Sequence, residues 1–301
     1  MSEVTVPVPS RLRWLPTIML VAAACAGTAL WSVARRPSPA LPPAPGGVVV
    51  GVPSRTLRFA AYNIYRNFRG MDRTVTELRK LDPMPDFLML SEVDQEHVDP
   101  MGDALGMPHR FHPPPPDRGA GREYRPPDVA LLSRHPLFDG RALDTGDGAV
   151  FGLIAFTVVH DRKFAVAGVQ LWPTLLPDAR PVLGTTDVWG RQLETLRRTW
   201  QELGRPPLVV GAAFTQPAAG EAYRLMTGDF NDTLGLLGET GSTYGRKLLQ
   251  LRIDYLLATP DWEPMAGGVI RGNASDHRPV WVDLRPAAPG ATTRTAAQPA
   301  T

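Results

Sequence analysis

Two apolar segments near the C-terminus are each bordered by ionisable side chains, and this arrangement narrows the folds open to the chain. Asp254 lies just before the apolar residues 256–258, and Asp276 and His277 lie just before the apolar residues 280–282. Short apolar runs are typical of buried strands, so the ionisable groups are expected at strand ends. A histidine beside one carboxylate, with a second carboxylate earlier in the chain, suits proton transfer or metal-linked chemistry. An α/β sandwich places its chemistry at such strand ends.

The composition is that of an ordinary globular protein. The chain has 301 residues, 43% of them hydrophobic and 21% charged, which is enough for one large domain or two small ones. Its formal charge of +2 is too small to indicate nucleic-acid binding, and the sequence shows no basic patch that would mark a nucleic-acid groove. The only cysteine, Cys25, excludes an intramolecular disulfide and a cysteine-based metal site.

An uncharged run of 20 residues, 14–33, lies near the N-terminus, between Arg11 and Arg13 on one side and Arg35 and Arg36 on the other. A helix of that length spans about 30 Å, the hydrocarbon thickness of a bilayer. Small residues near its end would also permit cleavage, so residues 14–34 are either a retained signal anchor or a cleaved signal peptide. We expect the rest of the protein outside the cytoplasm, anchored to the membrane through residues 14–34 or secreted after cleavage.

Composition divides the other residues into a basic segment, a linker, a folded domain and a tail. Residues 1–13 are the N-terminal basic segment, and residues 35–55 are a proline-rich linker expected to be extended and semi-rigid. Residues 286–301 are mostly alanine, proline and threonine, which predicts a disordered tail. The folded domain is therefore predicted over residues 56–285.

Strands and helices alternate within the predicted domain. Apolar spacing predicts a helix that starts near residue 72 and a longer one over residues 185–203. The stretch between residues 258 and 275 is interpreted as irregular. Further apolar runs predict strands, two of them joined in a hairpin by a turn at residues 160–163. These strands are at residues 57–64, 87–90, 128–133, 150–159, 164–171 and 208–211.

Five short motifs follow one another along the domain. They are YNI at residues 62–64, DFLMLSEVD at 86–94, ALLSRHPL at 130–137, RIDY at 252–255 and SDHRP at 275–279. In this order and with these gaps they resemble the endonuclease/exonuclease/phosphatase superfamily, the metal-dependent phosphoesterases related to deoxyribonuclease I. The resemblance covers residues 57–284. It implies an α/β fold, a four-layer sandwich of two mixed β-sheets flanked by helices, with the site at one end of the sheets.

The resemblance also implies roles for five residues. Glu92 would be the ligand of Mg²⁺ or Mn²⁺, and Asn63 beside it would bond the metal shell or the phosphate. His277 would contact the scissile phosphate, with its tautomer fixed by Asp254, and Asp276 would lie close to the metal. Hydrolysis of a phosphate ester builds negative charge on the phosphoryl oxygens, so a metal ion and fixed donors must converge on them.

Three positions depart from the pattern of that family. Ala213 stands where the family has an aspartate that orients the attacking water, and Thr215 stands where it has an asparagine that steadies the transition state. Gln170 replaces a histidine that contacts the phosphate. Loss of one general base typically costs about 10²–10⁴ in rate, although such losses are not additive. The sequence therefore indicates a degenerate active site.

A literal Gly-Asp-Phe-Asn-Asp segment at residues 228–232 does not restore the missing motif. It follows a helical stretch, whereas the family motif leaves a buried strand, so we interpret Asn231 and Asp232 as the opening of a turn. A shifted register that makes Asp229 catalytic is the alternative. Arg134, in the third motif, is interpreted as a structural partner of surface carboxylates rather than as a phosphate ligand.

Two functions from different classes remain open. In the first, the chain is a divalent-metal-dependent hydrolase of phosphodiesters or phosphomonoesters, and the acids on the metal side of the site favour this reading. In the second, it is a catalytically inactive family member that binds a phosphate compound or a partner, which the losses at residues 170, 213 and 215 favour. No long hydrophobic loop marks a lipid substrate.

Overall fold

A computed structural model describes residues 56–65, 69–113, 129–145, 150–171, 185–214, 220–246 and 249–288. The signal anchor or signal peptide predicted at residues 14–34 lies outside these ranges, as do the linker, most of the predicted tail, and Thr215. In the ranges that are described, no helix is long and apolar enough to cross a membrane.

The described residues form strands and helices that alternate along the chain. The helices are α1 (Met71–Leu78), α2 (Gln95–Leu105), α3 (Thr185–Glu202), α4 (Glu221–Thr227) and α5 (Thr233–Leu236). The strands are β1 (Leu57–Asn63), β2 (Phe87–Ser91), β3 (His109–Phe111), β4 (Val129–Ser133), β5 (Leu137–Asp144), β6 (Val150–Val159), β7 (Arg162–Gln170), β8 (Leu208–Ala213), β9 (Asn231–Asp232), β10 (Tyr244–Arg246), β11 (Leu249–Leu251), β12 (Asp254–Ala258), β13 (Trp262–Val269) and β14 (Val280–Pro286).

The first sheet, sheet A, has the strand order β13-β14-β1-β2-β4-β3. Its strands β1 and β2 run parallel, with Asn63 opposite Ser91 at their carboxyl ends, and the other neighbours are antiparallel. Strand β14 pairs with β1 so that Val280 lies opposite Ala61. The segment that leads into β14, which carries the SDHRP motif, therefore arrives beside the carboxyl end of β1.

The second sheet, sheet B, has the strand order β5-β6-β7-β8-β12-β9. Here β7 and β8 run parallel with Gln170 opposite Ala213, and β12 lies antiparallel to β8 with Asp254 opposite Ala213. Gln170, Ala213 and Asp254 therefore form one row across the end of sheet B. Strands β10 and β11 form a separate hairpin.

Alternation of side chains along the strands explains how the layers pack. One face of each sheet packs against the other sheet, with Phe59 and Met89 of sheet A meeting Val166 and Leu256 of sheet B. The outer face of sheet A packs under α1 and α2, and the outer face of sheet B packs under α3 and α4. The structure is thus an α/β sandwich of two mixed sheets between helical layers, as the sequence predicted.

The two sheets approach each other closely near the end where the motifs lie. A Cβ atom on Gly211 of β8 would lie 2.8 Å from the Cβ of Met89 and 3.0 Å from that of Ala61. Contacts this short are essentially never seen between real Cβ atoms, so glycine permits the approach. Two residues further along the same strands, Asn63 and Ala213 face a shared cleft between the sheets.

Most of the predicted elements are present, but the interpretation of one long stretch was wrong. The predicted hairpin is β6-β7, and its turn residues His160 and Asp161 have positive φ angles of 48° and 61°, as a two-residue hairpin turn requires. The stretch between residues 258 and 275, interpreted as irregular, instead contains β13. That strand lies at the edge of sheet A, contains Pro264 and an irregularity in its register, and exposes many of its side chains, so it lacks an apolar period.

Candidate functional site

The cleft between the sheet ends brings together the five residues to which the sequence assigned roles. Asn63 ends β1, Glu92 directly follows β2, Asp254 begins β12, and Asp276 and His277 lie just before β14. Asn63 from sheet A and Asp254 from sheet B line the same small, partly open cavity, and the contacts described below tie the other three residues to them. The parallel strand ends of both sheets thus converge on one site.

His277 and Asp254 form a buried pair. The His277 Nδ1 lies 2.8 Å from Asp254 Oδ2 and 3.0 Å from Asp254 Oδ1, and the two residues are 8% and 2% exposed. A carboxylate can only accept, so Nδ1 carries the proton of this hydrogen bond. The backbone is fixed as well, because the Asp254 N–H donates to Thr243 Oγ1 over 3.0 Å and the His277 N–H donates to Ser275 Oγ over 3.1 Å. This arrangement leaves Nε2 of His277 as the nitrogen turned away from Asp254.

Three carboxylates act on the His277 ring. Burial lowers the pKa of His277, but the charge and hydrogen bond of Asp254, together with the charges of Asp276 and Glu92, outweigh burial and raise that pKa above its ordinary value. The electrostatics of the cleft therefore favour the imidazolium form, which donates from Nε2. Such a donor suits an anionic group bound in the cleft.

The β10-β11 hairpin packs against the same ring. Tyr244 lies edge-on to His277, with ring centroids 5.0 Å apart and an angle of 65° between the planes. The backbone of Gly245 donates its N–H to the carbonyl of Asp276 over 3.0 Å. The hairpin therefore holds the SDHRP segment and limits rotation of the imidazole.

Glu92 is held in the cleft by two amide donors from different sheets. Its Oε1 accepts a hydrogen bond from Asn63 Nδ2 at 2.8 Å and another from Gln170 Nε2 at 2.8 Å. The backbone of Glu92 has a φ of 52°, an uncommon conformation for a residue other than glycine, and it turns the chain directly after β2. Strained backbone of this kind is concentrated at functional sites.

Gln170 has a second polar atom that the described residues leave unsatisfied. The residue is 8% exposed, and its Oε1 has no hydrogen-bond partner there. Rotating the amide by 180° would place two oxygens against each other, so the bond to Glu92 determines which way the amide points. Next to it in the row, Ala213 contributes only a methyl group. The centre of this wall of the cleft is apolar, with one unpaired acceptor beside it.

Two residues that shape the site were missed by reasoning from the sequence. Gln170 was counted only as a lost histidine, and its bond to Glu92 depends on contact between the two sheets, which has no local signal. Glu77 on α1 is a carboxylate that is 3% exposed. It lies at helical spacing with the buried residues Thr74, Leu78 and Leu81, and a carboxylate on an apolar helix face is a signal that could have found it.

The literal Gly-Asp-Phe-Asn-Asp segment lies away from the cleft. Asp232 is fully paired with Arg252, whose Nη1 and Nη2 donate to it over 2.8 and 2.6 Å, and it caps α5 by accepting from the Gly235 N–H. Strand β9 pairs with Leu257 and Ala258, at the opposite end of β12 from Asp254. Asn231 and Asp232 thus form a short strand rather than the predicted turn, and Asp232 caps the helix that follows.

Two further side chains of the sequence motifs also lie outside the cleft. Asp229 is bonded to Arg197 of α3 over 2.5 Å. Arg134 follows β4 at the opposite end of sheet A from Glu92, beside Asp86. Burial works to raise the pKa of Asp86, but a hydrogen bond from His135, the Arg58 N–H and the nearby Arg134 charge lower it.

Comparison with known proteins agrees with this architecture. The model of the endonuclease/exonuclease/phosphatase family matches residues 60–277, well over half of the chain. A comparison with curated proteins found no match.

Similar solved structures cover most of the described domain. The endonuclease/exonuclease/phosphatase from Bacteroides vulgatus has a TM-score of 0.62 at 16% identity, covering 77% of this chain and 100% of that one. The human Nocturnin catalytic domain with bound sulfate has a TM-score of 0.59 at 17% identity, covering 76% and 93%. A mannosyl-6-phosphatase from Bacteroides thetaiotaomicron has a TM-score of 0.58 at 15% identity, covering 76% and 99%. At these identities the similarity shows the fold, and together with the match of the family model it leads to one conclusion: this chain belongs to the endonuclease/exonuclease/phosphatase family.

Proposed function

We propose that the protein is a divalent-metal-dependent phosphoesterase with a reduced active site, acting on a phosphomonoester or phosphodiester outside the cytoplasm. The observation that carries the proposal is the buried His277–Asp254 pair, set in the same cleft as Asn63 and Glu92. A buried imidazole on which three carboxylates act is costly to maintain, and groups of this kind are concentrated at functional sites.

The donor set of the cleft is compatible with Mg²⁺ or Mn²⁺. Within the described ranges there is no cluster of three or more histidine, cysteine, aspartate or glutamate residues that could hold a metal ion. However, Mg²⁺ keeps several of its waters and is commonly bound through one or two carboxylates together with substrate phosphates. The carboxylate of Glu92 meets that requirement, and the unpaired Oε1 of Gln170 is an oxygen that can accept from a water of the hydrated ion. When bound there, the ion would supply Lewis-acid stabilisation of phosphoryl charge.

The side chains of the cleft would divide the remaining work. The imidazolium of His277 donates from Nε2 to a phosphoryl oxygen, and Asp254 holds the ring in that orientation. Asn63 and Gln170 fix the carboxylate of Glu92 through their amide donors. Ala213 provides no group that could remove a proton from the attacking water. The proposed site therefore relies on charge stabilisation rather than on a general base, which suits substrates with a good leaving group.

Two of the similar proteins are associated with tetrahedral oxyanions. The human Nocturnin catalytic domain holds a sulfate anion, and the Bacteroides thetaiotaomicron protein is a mannosyl-6-phosphatase. Sulfate and a phosphate ester both present a tetrahedral group with negative oxygens. We extend this chemistry to the present chain as a phosphate group on an unidentified alcohol.

A second function is favoured by the wall formed by Gln170 and Ala213. The amide groups of Asn63 and Gln170 both donate to the same carboxylate oxygen of Glu92. The side chain at the centre of the wall is the methyl group of Ala213. In this alternative the site binds a phosphate compound or a partner through His277 without hydrolysing it. The half-site of Asn63, Glu92, Asp254, Asp276 and His277 then serves recognition.

The location is also a proposal. Residues 14–34 combine a bilayer-spanning length with flanking arginines, which supports a retained signal anchor and an extracytoplasmic domain, with secretion after cleavage as the alternative. N-terminal sequencing of the mature protein from fractionated cells distinguishes them. A chain that begins beyond residue 34 would contradict the anchor.

Hydrolysis of bis-p-nitrophenyl phosphate and p-nitrophenyl phosphate by the full chain, with Mn²⁺ and with chelator, tests the enzymatic proposal. The decisive variant is His277→Ala. The chain offers a matched control in His135→Ala, because His135 also bonds an aspartate, Asp86, over 3.0 Å, but at the opposite end of sheet A.

The two functions predict different results in this assay. A phosphoesterase is expected to show turnover that needs metal. This turnover should be lost in His277→Ala and persist in His135→Ala. Absence of turnover in the wild-type chain, with inorganic phosphate still bound in a His277-dependent manner, would instead establish the non-catalytic function.

A further inference from the structure

Glu77 of α1 is a buried carboxylate that joins two parts of the cleft. Its Oε1 accepts the Tyr62 hydroxyl over 2.7 Å, and its Oε2 accepts the backbone N–H groups of Asn273 and Ala274 over 2.6 and 2.9 Å. Tyr62 directly precedes Asn63, and Ala274 lies shortly before the SDHRP residues of the site. One side chain thus connects the end of β1 to the loop that leads into β14.

The loop over residues 271–275 is built around this carboxylate. A Cβ atom on Gly272 would lie 1.8 Å from the Glu77 carboxyl carbon and about as close to its oxygens, so a larger residue at position 272 would displace the carboxylate. On the exposed side, Arg69 Nη1 donates to the Asn273 carbonyl over 2.6 Å. The loop is therefore attached to the segment around α1 at both its buried and its exposed surface.

The three donors around Glu77 are all uncharged. A buried carboxylate loses hydration and is normally found paired with a cation. Among the described residues, Glu77 is held instead by a hydroxyl and two backbone N–H groups. Hydrogen bonds to a charged acceptor are roughly twice as strong as neutral ones. A carboxylate at position 77 therefore fixes the loop backbone more firmly than an apolar or amide side chain would.

The fixed backbone continues directly into the site. Ser275 follows Ala274, and its Oγ accepts the His277 N–H over 3.1 Å. No residue between Ala274 and His277 is a glycine, and the Asp276 carbonyl is itself held by the β10-β11 hairpin. Displacement of Ala274 would accordingly move the His277 ring relative to Asp254.

We propose that Glu77 is a positioning residue, which holds the loop carrying Asp276 and His277 against β1 so that the imidazole stays on Asp254. This inference rests on the proposed function in one respect: the position of the His277 ring matters because His277 is proposed to bind the phosphate group. It adds a residue of α1, outside all five sequence motifs, to the machinery of the site.

The test is hydrogen exchange at the imidazole of His277, measured by ¹⁵N NMR on the full chain and assigned by its loss in His277→Gln. The proton on Nδ1 is protected by the bond to Asp254 as long as the loop stays in place. In Glu77→Ala, exchange of this proton is expected to be about tenfold or more faster, because the loop loses two charge-assisted hydrogen bonds and opens more often. Glu77→Gln, which keeps an acceptor for the loop, is expected to restore part of the protection.

Asp86→Ala is the matched control. Asp86 is a carboxylate that also accepts one backbone N–H, from Arg58 over 2.9 Å, and one side-chain donor, from His135, but at the opposite end of sheet A. Its loss is expected to lower the thermal stability of the domain without changing the exchange of the His277 proton.

Equal exchange at His277 in Glu77→Ala and Asp86→Ala would overturn the positioning role and leave Glu77 a stability residue. If Glu77→Ala does not fold, Glu77→Gln decides, since unchanged exchange in that variant would also overturn it. The measurement of hydrogen exchange at His277 does not depend on catalytic turnover. A chain that binds phosphate without hydrolysing it would refute the enzymatic function while leaving the role of Glu77 measurable.

Discussion

Gln170 donates its side-chain N–H to Glu92 Oε1 over 2.8 Å, the oxygen that also accepts from Asn63. Asn63 belongs to sheet A and Gln170 to sheet B, so the orientation of the Glu92 carboxylate depends on the packing of both sheets. A position that departs from the family pattern is therefore an integral part of the cleft. Its replacement should weaken the metal binding that we propose for Glu92.

Replacing Gln170 by methionine keeps most of the side-chain volume but removes the donor to Glu92 and the unpaired acceptor. We expect the affinity for Mn²⁺ to fall about tenfold, because partners that orient a ligand typically contribute 10–100-fold. Mn²⁺ binding is measured by the loss of its free-ion EPR signal. Gln192→Met, at a buried glutamine of α3, is the control and should bind like wild type. Undiminished binding in Gln170→Met, alongside lost binding in Glu92→Gln, would contradict the prediction.

Ala213→Asp would place a carboxylate between Gln170 and Asp254 on the face of sheet B that lines the cleft. If hydrolysis is limited by the absence of a base, turnover should rise by about tenfold or more. This falls short of the 10²–10⁴ of a fully formed general base, because residues 170 and 215 also differ from the family pattern.

Ala213→Asn is the control for Ala213→Asp, because it adds nearly the same volume without the charge. The initial rate of p-nitrophenol release at several pH values distinguishes the two variants. Equal rates in both variants and in wild type would show that the missing base does not limit this site.

The sequence predicted those parts of the structure that follow from local patterns. Apolar runs located most of the strands of the inner core, and the helical spacing of Leu193, Leu196 and Trp200 located α3, since these residues cover the outer face of sheet B. The pairing of Asp254 with His277 followed from the family resemblance and is present. Where the candidate residues lie at strand ends, predicting the strands also predicts which of these side chains lie together.

The remaining features depend on contacts between distant segments. β13 could not be found because an edge strand with proline and exposed side chains has no period. The bond between Gln170 and Glu92 joins residues 78 positions apart, and the bonds from the loop to Glu77 join residues almost 200 apart. The residues joined by each of these bonds are too far apart in the sequence to be considered together. Their contribution to the site can therefore be seen only in the folded chain.

Asp232→Ala should destabilise the domain strongly without affecting the cleft. The partnership with Arg252 is almost fully buried, and breaking a buried pair leaves an uncompensated charge that costs about 3–5 kcal/mol. Asp229→Ala is the matched control from the same segment, since its pair with Arg197 is about a quarter exposed and should contribute about 1 kcal/mol or less. Urea unfolding measures both. Loss of phosphate binding in a folded Asp229→Ala variant would instead support the alternative in which a shifted register makes Asp229 catalytic.

The pH dependence of stability should differ in sign between two histidines. The folded pKa of His277 is raised, despite burial, by Asp254 and its neighbours, so its stabilising contribution is complete below the unfolded pKa of about 6.5 and is lost as pH rises through the folded pKa. The folded pKa of His109 is lowered by burial and by His135, so its contribution changes in the opposite direction, and stability increases as pH rises toward about 6.5. The difference in unfolding free energy between wild type and His277→Gln should therefore shrink as pH rises above about 6.5, while that between wild type and His109→Gln should grow as pH rises toward about 6.5. Urea titrations in chelator measure both differences, and a His277 difference that rises with pH would contradict the charged pair.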